Sequence, residues 1–434
     1  MEDKSGMEDK SGMERWKSAL GNEGFGVNEA LEQVLELWKG IPAQIRTEKF
    51  RLVPEKQREE NAKRGAAALG RMRKHVKDFP QAMAAQKKWK EQGERTVLEA
   101  MEHDVIFQMG KLPAEVREQF LEATKEYFRQ TRRYDRELGM EELVQGLKNY
   151  FVYFMLALAA GEGEWFQRAI WSYSLLYPYT DNFLDGDYSP AQKKRFNDML
   201  VRKLLGEEVQ VQDELEKKVC GLIDVIEEVY PRKDFEDLYD FLMIIYDAQL
   251  GSLSQHEAKK LGEEELLRVS VYKGGASIYV DQCLINGRMD RRDIYFLTGF
   301  GFFLQLADDL QDVQEDLENV HQTYMTKLAE NEKLAEAAGR LLVFAARLFA
   351  DDWRGSGDVR EFMFDNCVQL VCTAVLQKPR YYTKAFVEEI EQLAVLPAEF
   401  LKQMENEGNE MAGEWARESM DPMKMLDVWA DCDM

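Results

Sequence analysis

The chain reads as an all-α protein, a bundle of long helices. Three observations carry that reading. Proline is scarce (10 residues) and methionine plentiful (20) in a chain of 434. Alternating strand patterns with hairpin turns are absent, and apolar residues recur at helical spacing from about residue 97 onward. Helix-breaking signals punctuate this pattern at Leu112-Pro113, Leu138-Gly139, Gly161-Glu162-Gly163, Gly186 to Pro190, Tyr230-Pro231, Gly251, Gly262, Asn286-Gly287, 354–357 and Leu396-Pro397. No repeat of solenoid length runs through the sequence.

Element by element, the chain opens with MEDKSG twice, a duplication expected to be a disordered tail over 1–25. Residues 26–38 have helical periodicity with Asn28 as cap. An N-terminal helical segment, 26–135, is basic in part: residues 44–96 hold 15 Lys/Arg against 7 Asp/Glu. The simplest reading of that excess is a solvated helical face, with an anionic lipid surface or an anionic substrate as the other uses. Residues 136–434 are expected to form the main bundle. Within it, 364–376 reads as a core helix, while the ending MDPMKMLDVWADCDM fits either a tail or a lid.

Composition narrows function. Hydrophobic residues at 45% and charged residues at 32% suit a soluble globular chain, and a net charge of −23 argues against nucleic acid as partner. Five scattered cysteines with no CxxC pair suit reduced thiols and a cytoplasmic location. No apolar signal segment opens the chain, and the apolar runs near 150–160 and 294–307 fall short of the roughly 20 residues of a membrane span.

Two acidic clusters carry the chemistry. In LLYPYTDNFLDGDYSP (175–190), Asp181 and Asp185 stand four apart at the end of an aromatic helix, with Ser189-Pro190 starting the next. Their carboxylates would lie about 5–6 Å apart. Mutual repulsion and the negative helix end both disfavour them, and a bound cation reverses both effects. The second cluster follows the apolar stretch 294–304, with Asp290 as expected N-cap. Asp308, Asp312 and Asp316 recur every four residues, with Asp309 and Glu315 beside them. Carboxylate oxygens in this density suit Mg2+ completed by water and phosphate oxygens. Zinc is disfavoured because His75, His103, His256 and His321 form no pair at ligand spacing in the sequence.

Read as motifs, these stretches resemble the class I isoprenoid synthases, the trans-prenyltransferase and terpene-synthase superfamily. FLQLADDLQD is similar to the second aspartate-rich motif at Gln305, Asp308, Asp309 and Asp312. DNFLD matches the first as DxxxD, with Asn182 in place of the second aspartate. AQLGS (Gln249) resembles the glutamine motif, and YKGGAS (Lys273) the motif that contacts diphosphate. The resemblance spans roughly 140–330.

It implies a helical bundle with a central cavity and about three Mg2+ ions held by Asp181, Asp185, Asp308, Asp309, Asp312 and Asp316. It also implies Lys273, Gln249 and Gln305 as diphosphate-side residues; Arg288 and Arg268 are weaker candidates, since arginine suits bidentate phosphate contact. Tyr173, Tyr177, Phe300 and Phe303 are candidates to line the cavity. Gly274-Gly275 inside the helix needs a reason of its own: a kink, close helix packing, or backbone approaching a ligand.

The reaction implied is ionisation of a prenyl diphosphate, releasing diphosphate to give a terpene hydrocarbon or alcohol. A chain-elongating or head-to-head prenyltransferase is the alternative. GKLPAEVR (Gly110, Lys111, Arg117) is only faintly similar to that group's basic motif, and Lys193, Lys194 and Arg195 fall on the next helix. A third reading is a catalytically silent helical scaffold. The expected partners are the prenyl diphosphate and, where the chain associates at all, a membrane surface or a second copy as homodimer.

Overall fold

Close approach of two helix backbones at Gly274 and Gly301 fixes the centre of the fold. A Cβ at Gly274 would lie 2.3 Å from the Gly301 carbonyl oxygen, and one at Gly301 would lie 2.2 Å from that of Gly274. Only glycine on both sides permits this crossing. Of the reasons open for the glycine pair, close helix packing is the one realised.

The structure is a computed structural model that describes residues 26–42, 50–163, 165–256, 259–404, 406 and 421–432, without the side chains of Asp185 and Asn286. The expected N-terminal tail lies outside the described residues. Among those described, every regular element is helical.

The chain groups into two units. Unit 1 takes residues 1–43, 145–333 and 343–355; unit 2 takes 44–144, 334–342 and 356–434. This differs from the division expected at 135/136. The first helix joins the central segment, and the C-terminal stretch joins the N-terminal basic one, because each finds its apolar partner there.

Unit 1 contains α1 (Val27–Lys39), the larger part of α5 (Met140–Ala160), α6 (Arg168–Asp185), α7 (Pro190–Leu204), α8 (Glu214–Val229), α9 (Glu236–Ser252), α10 (Glu263–Asn286), α11 (Ile294–Gln311), α12 (Val313–Glu318) and α13 (Tyr324–Glu330). Helix α10 ends at Gly287, whose φ of 78° is left-handed, and the chain returns as α11 to form the Gly274/Gly301 hairpin. The expected cap at Asp290 is not made. Asp293 occupies the N-cap without a side-chain bond, and Asp290 instead takes Arg292 at 2.9–3.0 Å through its backbone N–H and Nε.

Helix α1 is amphipathic and buries Val27, Ala30, Val34, Leu35 and Trp38. Trp38 meets Phe302, Tyr324 and Phe344 edge-on, which locks α1 onto α11. The predicted cap Ser189 forms a full capping box with Gln192 and starts α7. Helix α5 is, among the described residues, long and apolar enough to cross a membrane by length and composition alone. The isolated run at 150–160 had fallen short of that. Tyr150, Tyr153 and Phe154 are nonetheless buried against protein.

Unit 2 contains α2 (Glu55–Lys77), α3 (Met83–Glu102), α4 (Ala114–Tyr134), the start of α5, the start of α14 (Leu334–Asp351), α15 (Gly357–Gln377), α16 (Lys384–Glu391) and α17 (Pro422–Trp429). The expected core helix 364–376 is α15, with Phe362, Met363, Val371, Cys372 and Val375 buried. Over 422–429 the C-terminal stretch is a capped helix: Asp421 accepts from Met423 and Lys424. Arg132 grips Asp427 with two guanidinium nitrogens at 2.8 and 3.3 Å.

Candidate functional site

Three helices of unit 1 deliver charge to one place. Helix α6 brings Asp181 and Tyr177 in its last turns, α10 brings Lys273 from its middle, and α11 brings Asp308 near its end. Lys273 Nζ stands 3.7 Å from Asp181 Oδ1. Tyr177, one helical turn before Asp181, feels Lys273, Asp181 and Asp308. Lys273 is its strongest influence and pulls the phenol down. Burial, Asp181 and Asp308 outweigh that and hold it well above the usual tyrosine range. Residues of both acidic clusters, more than a hundred residues apart in sequence, therefore act on the same tyrosine and lysine.

Lys273 is brought here by the residue beside it. Gly274 touches the α11 backbone at Gly301, and Asp308 lies two turns further along α11. A bulkier residue at 274 would hold the helices apart and carry the ammonium away from the acids.

Asp308 has a side chain that water reaches. Burial is nevertheless the first cause that raises its carboxyl, followed by Asp312; Lys148 and Lys273 oppose. The stripe continues as read. Asp312 and Asp316 each return a backbone hydrogen bond of 2.9 Å to the residue four before, although α11 hands over to α12 at Asp312.

Asp309 departs from the reading. It is buried and turned inward, away from the wetted Asp308, and Gln305 Nε2 donates to its Oδ1 at 2.9 Å. Its second oxygen has no hydrogen-bond partner. Burial lifts this carboxyl to about 7, against the opposing Gln305 bond. Gln305 is thus a positioning group for Asp309. Asp316 Oδ1 accepts from His321 Nδ1 at 3.0 Å, and His321 stacks on His256 with ring centroids 4.3 Å apart. These two histidines do pair in space, but as parallel plates.

Several expected residues stand elsewhere. Arg288 is exposed just past the end of α10, roughly 20 Å along the helix from Lys273. Arg268 is committed to Glu32 of α1 and to Glu264. Gln249 is buried in α9, and no described side-chain hydrogen bond joins it to the Lys273 group. Asn182 is exposed, and of Asp185 only the backbone, at the last turn of α6, is described. Lys193 caps the Leu184 carbonyl, Lys194 pairs with Asp198 and Arg195 with Asp213. In unit 2, Lys111 pairs with Asp365, and Arg117 donates to the Leu112 carbonyl.

The aromatics divide. Tyr177 is in the site and Tyr173 lies one turn below it, its hydroxyl donating to the Ser277 carbonyl at 3.3 Å. Phe300 and Phe303 are ordinary core, 4% and 1% exposed, and Phe300 packs on Phe296 and Phe349.

Sequence reasoning missed Lys148, Asn149, Pro178 and Asp281. Each had a signal. Lys148-Asn149 interrupts an apolar helix, Asp281 sits eight residues after Lys273 among apolar neighbours, and Pro178 lies inside α6. There the proline removes a helical N–H and frees the Ser174 carbonyl.

Among the described residues, no group of three or more His, Cys, Asp or Glu side chains is gathered closely enough to hold a metal ion by itself. The wetted donors, Asp181, Asp308 and Asp312, are all oxygen ligands beside cationic lysines. That chemistry fits a hard cation completed by phosphate oxygens, not one caged by protein. No protein-family model, curated protein or solved structure matches the chain.

Proposed function

We propose that unit 1 is a Mg2+-dependent terpene synthase of class I type, which ionises a prenyl diphosphate and releases diphosphate to give a hydrocarbon or alcohol. One observation carries the reading: Lys273 of α10 pairs with Asp181 of α6 at 3.7 Å and also acts electrostatically on Asp308 of α11. Carboxylates repel a diphosphate unless cations intervene, so acids mixed with lysines suit a metal–diphosphate complex better than either ion alone.

Asp181, Asp308, Asp312 and Asp316 would hold the metal, with Asp185 at the end of the same turn as Asp181. Bound Mg2+ supplies neutralisation of the leaving diphosphate. Lys273 and Lys148 contribute fixed positive charge to the same anion. Gln305 keeps Asp309 oriented behind Asp308. The ring of Tyr177 offers a π face to an allylic cation. Lys111 and Arg117, which chain elongation would employ, are already committed within unit 2.

A second reading has its own support. Lys273 stands where a metal would neutralise Asp181, and no three described carboxylates converge. A silent relative, with an ammonium in place of the metal, would have this arrangement.

The test is diphosphate release from farnesyl, geranylgeranyl and longer diphosphates with and without Mg2+. Release from one substrate alone is expected. It should fall at least about 100-fold in Asp181→Ala and in Asp308→Ala, the scale of losing a charge-stabilising group, with helical content and melting temperature kept. Release only when isopentenyl diphosphate is added would move the function to chain elongation. No release from any substrate would leave the silent reading, and full activity in both variants would sink the site assignment.

A further inference from the structure

The hairpin of α2 and α3 in unit 2 carries a charge that the proposed reaction does not use. Residues 61–90 hold nine Lys/Arg against one acid, Asp78, in a chain with 57 basic and 80 acidic residues. The fold keeps much of that excess in water. Lys74, Lys87 and Lys88 are exposed, and none of the three makes an ion pair among the described residues. Capping accounts for only part of the pattern. Lys74 and Lys77 in the last turn of α2 suit the negative end of that helix. Helix α3 begins the opposite way: its first turn has no acid, its N-cap Ala82 makes no side-chain bond, and Lys87-Lys88 follow at once. Cations near the positive end of a helix are disfavoured, and an anion from outside reverses that effect.

The turn between these helices is pinned from behind and apolar in front. Trp89 lies flat on His75 with ring centroids 4.5 Å apart and takes Phe79 edge-on at 4.9 Å. Its Nε1 donates to the His75 carbonyl at 2.8 Å, and Gln86 Nε2 donates to the Pro80 carbonyl at 3.3 Å. Held by these contacts, the turn leaves Met83 72% exposed, with Ala82, Ala84 and Ala85 exposed beside it. A large apolar side chain this open gains by leaving water. Lys74 lies four residues before the turn, and Lys87 and Lys88 lie four and five after Met83. The methionine therefore stands between unpaired cations.

We propose that this hairpin docks on an anionic lipid bilayer, with Met83 entering the headgroup layer and Lys74, Lys87 and Lys88 meeting anionic headgroups around it. The net negative charge of the chain does not forbid this. Charges interact over about 8 Å at physiological salt, so the bilayer meets the local excess of cations and not the acidic whole. The same asymmetry turns the hairpin toward the surface during approach. A nucleic acid would engage the lysines alone. Its binding surfaces add groups that reach base edges or aromatic faces that stack on bases, and this turn offers a methionine and alanines.

Cosedimentation of the full chain with lipid vesicles tests it. Binding is expected to vesicles of phosphatidylcholine mixed with phosphatidylserine, weakening as salt rises, and not to phosphatidylcholine alone. Replacing Lys74, Lys87 and Lys88 together by Gln should weaken binding about 100-fold, the scale of three cations leaving an anionic surface. Met83→Ser should weaken it about tenfold, the scale of one apolar side chain kept in water. All four side chains are exposed, so helical content should stay as in the parent, and the comparison of the two lipid compositions needs no variant. Equal binding to both vesicles, binding to neither, or unweakened binding in either variant overturns the proposal. So does the absence of vesicle binding together with lysine-dependent binding of duplex DNA or self-association in sedimentation, which would give the hairpin to those partners. Diphosphate release enters none of these measurements, so this proposal and the proposed function fail separately.

Discussion

The two units treat charge under cover in opposite ways. In unit 2 the covered cations of α4 are matched by carboxylates, and Asp104, which burial raises, is met by the backbone N–H groups of Ile106, Phe107 and Met109. Lys125, with 5% of its side chain exposed, holds Glu94 at 2.6 Å and Glu122 at 3.0 Å. Arg132 grips Asp427 twice and donates its remaining arm to the Arg136 carbonyl at 2.6 Å. In unit 1, burial raises the carboxyls of Asp308, Asp309 and Asp281, and Asp309 and Asp281 each keep one oxygen without a hydrogen-bond partner. Matched charge holds helices in place; mismatched charge stores affinity for something not in the fold, a cation or a proton.

The comparison can be broken by substitution. The largest effect on stability is expected at the crossing that assembles the mismatched cluster. Gly274→Ala places a Cβ 2.3 Å from the Gly301 carbonyl oxygen, where only backbone can yield. It should cost about 3 kcal/mol in urea or thermal unfolding. A cost below about 0.5 kcal/mol would mean that the helices separate freely and Lys273 is not held by the crossing.

Next comes the matched side. Arg132→Ala leaves Asp427 without its partner and should cost about 2 kcal/mol, less than for a fully buried pair because Asp427 keeps 20% of its side chain in water. An unchanged melting temperature would remove the contrast between the units.

The smallest effect has the opposite sign. Asp309 has a folded value of about 7 against an ordinary 3.8. Between those values the unfolded chain is ionised while the folded one keeps its proton. The protein therefore loses stability as pH rises from about 4 to about 7 and levels off above. Asp309→Asn keeps an acceptor for Gln305 and cannot ionise. It should match the parent near pH 4 and exceed it near pH 8 by about 1 kcal/mol or more in the absence of divalent cations. Parallel pH profiles would place Asp309 in water, against its burial.

Much of unit 1 was legible before any coordinates. The end of α6 at Gly186, the Ser189-Pro190 start of α7, the span of α10 and the stripe Asp308–Asp312–Asp316 all follow from local rules of capping and periodicity. What failed was facing. Asp309 differs from Asp308 by one residue, yet a helix turns about 100° per residue, so one carboxylate is wetted and the other buried. Arg288 and Arg268 were judged by charge and nearness in sequence, and each stands away from the acids. The boundary at 135/136 missed that α17 serves α4, a contact made by Arg132 and Asp427 across nearly three hundred residues.

The sequence by itself determined that this protein is helical, where most of its helices stop, and that two dense rows of carboxylates exist on it. Those are consequences of neighbours within a few residues, whose energies act along the chain. Only the tertiary structure decided that Lys273 pairs with Asp181 and acts on Asp308, that Asp309 turns inward, and that Asp281 is buried with one oxygen unmet. Those depend on which helix faces cross and how closely, and here a glycine on each side, Gly274 and Gly301, sets that distance.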